Sequence, residues 1–141
     1  MKSSKVSLED IATFLLKEFP QNKCTVEAVG HGTATVRQRV GHAELRPGGT
    51  VSGPVMMTVA DLALYVAILG AIGLVPLAVT TSLAINFLRK PSSDRDIIGV
   101  CKIMKLGKTL AVGEVTIYSD GIDEPVAHAV GTYAIPRVRA G

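Results

Sequence analysis

Between Val55 and Val79 the chain carries a single carboxylate or basic side chain, Asp61, set in its most apolar stretch. A charge in such surroundings costs stability unless it has a partner or a task, and acids in apolar settings recur at functional sites. Just ahead of it runs a glycine-rich turn, Arg46-Pro-Gly-Gly-Thr-Val-Ser-Gly-Pro54. Gly48, Gly49 and Gly53 allow backbone conformations that other residues resist. A turn that feeds a helix presents unpaired N–H groups with partial positive charge, which suits an anion or a developing oxyanion. The same composition also suits a plain chain reversal. The spacing is not that of a nucleotide P-loop.

Pro54 stands where a first helical residue belongs, with Gly53 in front of it. At about 1.5 Å per residue, Gly53 and Asp61 are then roughly 12 Å apart along the axis. A general base or nucleophile must lie about 3 Å from the reacting atom, and an oxyanion donor about 3 Å from the carbonyl oxygen, so one chain cannot bring both to one carbonyl. Two antiparallel helices from two chains remove the difficulty and predict a homodimer with composite sites. The other reading of Asp61 is a structural carboxylate that caps a neighbouring backbone or pairs with Arg46 or Arg89. Ser52 does not sit in a nucleophile elbow, and the turn offers it a hydrogen-bonding role. His31, His42 and His128 show no metal-ligand spacing, so no metal site is expected.

The elements that must position these residues are legible in the pattern. Ser7 with Glu9 and Asp10 reads as a helix start, and Leu8, Ile11, Ala12, Leu15, Leu16 and Phe19 recur at helical spacing, predicting an amphipathic helix over about 7–19. Two alternating runs, Cys24 to Val29 and Thr33 to Val40, predict a hairpin around Gly30-His31-Gly32, with Val26 and Ala28 set against Ala34 and Val36. A second helix over about 54–73 is apolar nearly all round, so it is buried on most sides. Four strand-like runs follow: Val79 to Leu88, Ile97 to Leu106, Thr109 to Ser119 and Val126 to Ile135. The turn residues between them are those of antiparallel neighbours. One long buried helix between strand groups gives an α+β fold, a curved antiparallel β-sheet wrapped around the helix, within a single domain over 1–141. The sheet covers only part of that helix, and a second copy of the chain is the economical cover for the rest.

Composition narrows the function classes. The chain has 141 residues, 48% of them hydrophobic, and a net charge of only +3 with its Lys and Arg scattered. With no Trp and 4% aromatic residues it lacks stacking platforms, and no nucleic-acid partner is expected. Cys24 and Cys101 match no metal or redox motif, which suits free thiols in a reducing compartment. The start carries Lys and acids rather than a greasy signal core, so the expected location is cytoplasmic. The uncharged run from Leu62 to Val79 approaches the length of a membrane span, but Gly70, Gly73 and Pro76 interrupt it and Asp61 adjoins it, so no membrane partner is expected.

The stretch from Gly49 to Asp61 resembles the glycine turn, central helix and acid of hotdog-fold acyl-CoA thioesterases, in particular the PaaI-like, phenylacetate-pathway branch of the hydroxybenzoyl-CoA thioesterase superfamily. Thr80 to Pro91 is similar to the family's strand after the helix, and Gly107 to Tyr118 to its penultimate strand. The resemblance spans roughly residues 20 to 136. It implies a hotdog fold, a homodimer that often forms a homotetramer, and hydrolysis of an acyl- or aroyl-CoA without metal or cofactor, coenzyme A being part of the substrate.

It also implies roles. Asp61 acts as general base toward water or as nucleophile, and the Gly53 N–H of the opposite chain polarises the thioester carbonyl. The strand hydroxyl that orients the acid or its water maps to Thr81. Where the family commonly has His-Gly-Gly, this chain has Ser52-Gly53-Pro54, with Ser52 still able to donate a hydrogen bond. Where the family has an assisting Asn, this chain has Arg46, which is suited to a substrate carboxylate or phosphate or to pairing with Asp61. Arg89, Lys90, Lys105 and Lys108 are candidates for the phosphates of coenzyme A. Met56, Met57, Leu62 and Tyr65 are candidates for an acyl tunnel, or for core. The alternative function is a hotdog protein that holds an acyl thioester or lipid without turnover.

Overall fold

The computed structural model describes residues 4–136. Helix α1 spans Leu8–Glu18, with the Ser7 hydroxyl accepting from the Asp10 N–H at 3.0 Å as its cap. Its buried stripe is narrow, Ile11 and Leu15, and Leu16 is 77% exposed. Leu16 was expected on the apolar face; one turn of helix packed on a strand hides only the residues spaced three and four apart.

Strands β1 (Cys24–Gly30) and β2 (Thr33–Gln38) form the expected hairpin. Val26 faces Val36, but Ala28 faces Thr35 and Ala34 faces Val29, because an extra residue, Glu27, bulges out of β1. Glu27 there takes the Nε–H of Arg37 at 3.1 Å, and the same guanidinium reaches Asp96 at 3.0 Å and Asp120 at 2.8 Å.

A single 3-10 turn, His42–Glu44, and the two-residue strands β3 (Leu45–Arg46) and β4 (Thr50–Val51) frame the glycine turn. Gly48 and Gly49 sit at φ of 98° and 73°, where a side chain would be strained. Helix α2 runs Gly53–Ile72 and ends at Gly73, also at positive φ. Its length and apolarity would span a membrane, but most of it is buried within the protein, as a core helix is.

Four longer strands complete the fold: β5 (Val79–Phe87), β6 (Ile97–Leu106), β7 (Leu110–Ser119) and β8 (Ala127–Ala134). They join the hairpin in one antiparallel sheet of order β1-β2-β6-β7-β8-β5 that curves around α2. The sheet can approach the helix closely because the facing positions are small. A Cβ on Gly113 or Gly131, which pair across β7 and β8, would lie 2.6 or 2.7 Å from a methyl of the fully buried Leu64. One expected neighbour relation fails. β5 does not pair with β6, whose second edge is taken by β2, and it closes the sheet beside β8 instead. That leaves β5 as a nine-residue edge strand exposed along most of its length, with Val79 and Phe87 about half exposed.

Candidate functional site

Asp61 lies midway along α2, half-buried, and its carboxylate meets two donors. The Thr80 hydroxyl donates to Oδ1 at 2.5 Å, and the Tyr133 hydroxyl donates to the same oxygen at 2.9 Å and to the Asp61 carbonyl at 3.2 Å. Both donors come from the far side of the sheet, where β5 and β8 pair Thr80 with Tyr133. Tyr133 is buried and stacks on Tyr65, one helical turn beyond Asp61, with ring centroids 6.0 Å apart and planes 21° apart. Burial, and then the Asp61 charge, hold the Tyr133 phenol well above its usual range, so it remains a hydrogen-bond donor.

The strand hydroxyl on Asp61 is thus Thr80 and not Thr81. The ladder shifts register at Thr81, which turns its hydroxyl onto the Thr132 carbonyl at 3.2 Å. Tyr133 carries no signal of its own in the sequence, since it lies far along the chain in an ordinary alternating strand. The signal was its register opposite Thr80, which only the β5–β8 pairing reveals.

Asp61 opens onto a cavity of about 450 Å³. Pro54, Thr58, Asp61 and Tyr65 line it at helical spacing, so one face of α2 forms its floor from the helix start to the acid and beyond. Leu62 also lines it; Met56 is buried elsewhere, and Met57 faces out.

At the helix start Ser52 is the N-cap. Its Oγ accepts from the Val55 N–H at 3.4 Å, a capping role in place of the expected donation. Its own N–H is tied to the Glu44 carbonyl at 3.0 Å, which fixes the turn against the helix. Gly53 opens the helix and, among the described residues, its N–H donates to no acceptor. Unlike Gly48 and Gly49 it has no positive φ. What it supplies is room, since a Cβ would come within 3.2 Å of the Phe87 ring.

The cations fall elsewhere. Arg46 is exposed on β3, and the hydrogen bonds of the Asp61 side chain go to Thr80 and Tyr133 rather than to Arg46 or Arg89. Arg89 pairs with Glu124 at 3.6 Å and donates to the Pro125 carbonyl. Lys90, Lys105 and Lys108 are exposed. Arg89 and Lys90 leave the Phe87 end of β5, whereas Lys108 sits in the β6–β7 turn, level with Val79 through Ala134. The nine residues of β5 separate the two groups by roughly 26 Å at ~3.3 Å per residue, so one chain does not gather them. His128 is engaged with Glu114 across β7 and β8 at 3.1 Å.

A family model described as the thioesterase superfamily matches residues 48–126, from the glycine turn through the helix and into β7 and beyond. The chain belongs to the thioesterase superfamily. A candidate thioesterase from Silicibacter sp. TM1040 is 40% identical, with 96% of this chain and 95% of that one covered and a TM-score of 0.87. The E. coli PaaI protein from the phenylacetic acid degradation operon is 21% identical, covering 89% of this chain and 95% of its own, at a TM-score of 0.75. A hypothetical thioesterase from Streptococcus pneumoniae, solved with coenzyme A, is 22% identical, covering 95% and 100%, also at 0.75. No curated protein matches the chain in sequence. The family match and the 40% identical structure make the chain a thioester hydrolase, and the likeness to the PaaI protein shows that the two share the hotdog fold.

Proposed function

We propose that the protein hydrolyses the thioester of an acyl- or aroyl-CoA at a site shared by two copies of the chain, with Asp61 from one protomer and the Gly53 N–H from its partner. The observation that carries this reading is the pairing of two features on one helix. Asp61 is a carboxylate held through Oδ1 and open to a cavity, while the Gly53 N–H at the helix start lies roughly 12 Å from it along α2 at ~1.5 Å per residue. Asp61 either takes a proton from water as the water oxygen adds to the carbonyl carbon, or adds to that carbon itself. In the first case the C–S bond breaks and the proton held by Asp61 passes to the departing sulfur, so coenzyme A leaves as a thiol. In the second the C–S bond breaks to leave a mixed anhydride on Asp61, which water then cleaves, freeing the carboxylate and supplying the proton of the thiol. The partner's helix start receives the negative charge that develops on the carbonyl oxygen. Coenzyme A enters as part of the substrate, and every step is assigned to residues of the chain, with no cofactor or metal.

The edge strand supports the dimer. A nine-residue strand with unpaired backbone groups and half-exposed Val79 and Phe87 is a template for pairing with a second copy. Antiparallel pairing of β5 with itself across a two-fold axis brings the Phe87 end of one chain to the Val79 end of the other. Arg89 and Lys90 of one protomer then approach the side of its partner that carries Lys108, uniting the cations that one chain keeps apart. Tetramers assemble from such dimers. The buried, unpaired Cys24 and Cys101 suit the cytoplasm.

The test is thiol release across short, medium, long and aromatic acyl-CoA substrates, for wild type and Asp61→Asn, with oligomeric state measured in parallel. The expected result is turnover by the wild type and none by Asp61→Asn at unchanged oligomeric state. Equal hydrolysis by both would overturn the assignment of Asp61.

A further inference from the structure

Among the described residues two polar side chains are almost wholly withdrawn from solvent, Gln38 at 5% exposure and Ser119. Ser119 is explained, since its hydroxyl accepts from the Ser92 N–H at 2.9 Å. Gln38 is not. It ends β2 on the face that carries Ala34 and Val36 toward α2, and it lines the same cavity as Asp61. Its one side-chain partner is the Cys24 thiol, 3.5 Å from Oε1. Burial pushes that thiol up to about 11, so it stays protonated and donates. The Gln38 Nε2 donors are left without an acceptor. Among the described residues the buried side-chain polar atom with no partner is Thr50 Oγ1; the Gln38 amide instead lies in the cavity wall with Nε2 open to the cavity, so a ligand that fills the cavity must either accept from it or leave it unpaired.

Gln21 and Lys23 line the cavity from its exposed rim, whereas the half-buried polar neighbours Asn22 and Glu44 are already committed. Asn22 accepts from the Cys24 N–H and donates to the Cys24 carbonyl, both at 2.9 Å, and Glu44 accepts from the Gly41 N–H at 2.7 Å. Phe19, Tyr65 and Tyr133 supply flat apolar walls. The cavity therefore has a carboxylate on its helix floor and, on the strand side, a buried amide whose donors meet no acceptor among the described residues.

We propose that Gln38 determines specificity, its side-chain N–H groups hydrogen-bonding an oxygen carried by the acyl group away from the thioester, so that a compact acyl group bearing a hydroxyl or carbonyl oxygen is preferred over its hydrocarbon isostere. This rests on the reading above that the cavity receives the acyl group. Sites built to hydrogen-bond a substrate oxygen discriminate strongly against an analogue that lacks it, because the site's own polar group is then left unpaired.

Binding is measured by calorimetry with non-hydrolysable phenacyl thioethers of coenzyme A, unsubstituted or with a hydroxyl or a methyl at the meta or para position. The wild type should bind a hydroxyl analogue at least about tenfold more tightly than the methyl analogue of the same shape, a modest share of what such sites reach. Gln38→Met should erase that preference, in part by tightening the methyl analogue, since no donor is then left unpaired. Gln38→Leu, which also lacks the donors, should erase it too. Equal binding of hydroxyl and methyl analogues by the wild type, or a preference that persists in both variants, overturns the proposal. If discrimination is found but no thioester is cleaved, the hydrolase reading fails and the role of Gln38 stands. If thioesters are cleaved but the variants and analogues behave alike, the role of Gln38 fails alone.

Discussion

Replacing Tyr133 by Phe removes one oxygen and little else. The ring keeps its stack on Tyr65 at 6.0 Å, while Asp61 loses the donor at 2.9 Å on Oδ1 and that at 3.2 Å on its carbonyl. A hydrogen bond to a charged group contributes about 1.5–3 kcal/mol. At about 1.4 kcal/mol per factor of ten, complete loss of that restraint on the carboxylate corresponds to roughly 10- to 150-fold in rate. Thr80 still donates to the same oxygen, so the expected effect lies at the low end, about tenfold in kcat. KM should change little, because the phenol holds the acid rather than the substrate. The melting temperature should fall by only a few degrees, as a loss of about 1 kcal/mol implies for a domain of this size. The assay is steady-state thiol release beside thermal unfolding. Adding Thr80→Val should lower kcat further, by more than either change alone, since the two donors share one oxygen. An unchanged kcat in both Tyr133→Phe and the double variant would refute the claim that these hydroxyls position Asp61.

Two further predictions concern the fold. Gly113→Ala places a Cβ 2.6 Å from Leu64 Cδ1 and 3.3 Å from the Lys102 carbonyl, and should cost about 1–3 kcal/mol in denaturant unfolding. Combining it with Leu64→Ala should cost less than the two separate losses added together, whereas strict additivity would show that helix and sheet are not in close contact there. Burial raises the Cys24 thiol from 9.0 to about 11 and the Cys101 thiol from 9.0 to about 12. The folded state thus binds these protons more tightly than the unfolded chain. The contribution is fully present below pH 9 and is lost as the pH rises through about 11 to 12. Unfolding free energy measured against pH should fall over that window, and Cys101→Ala should flatten part of the slope.

The sequence made the second helix legible because its hydrophobicity, its proline start and its glycine end all agree, and it made Asp61 legible because nothing else charged shares that stretch. The strands were readable one by one, since alternation is a local property. What it hid was pairing. The bulge at Glu27, the placement of β5 beside β8, and the turn of Thr81 away from Asp61 all follow from register, which neighbouring strands decide together. The donors on Asp61 were obscured for that reason, with Thr80 one position from the expected hydroxyl and Tyr133 on β8, far from Asp61 in the sequence. Gln38 carries no signal of its own in the sequence, because the face it takes follows from the register of β2.

The central claim is that the catalytic acid and the oxyanion donor belong to different chains, and subunit mixing tests it most directly. Gly53→Pro deletes the N–H in question. The extended Ser52, at φ −71° and ψ 150°, tolerates a following proline, and Phe87→Ala in the same subunit clears the ring that a Cβ at position 53 would meet at 3.2 Å. Asp61→Asn deletes the acid. Each variant alone should be inactive. When the two are dissociated together and reassembled at equal amounts, half of the dimers are mixed and one of their two sites is intact, so about a quarter of wild-type thiol release should return. No recovery, with mixed dimers demonstrated by mass, would contradict the account and place the whole site within one chain.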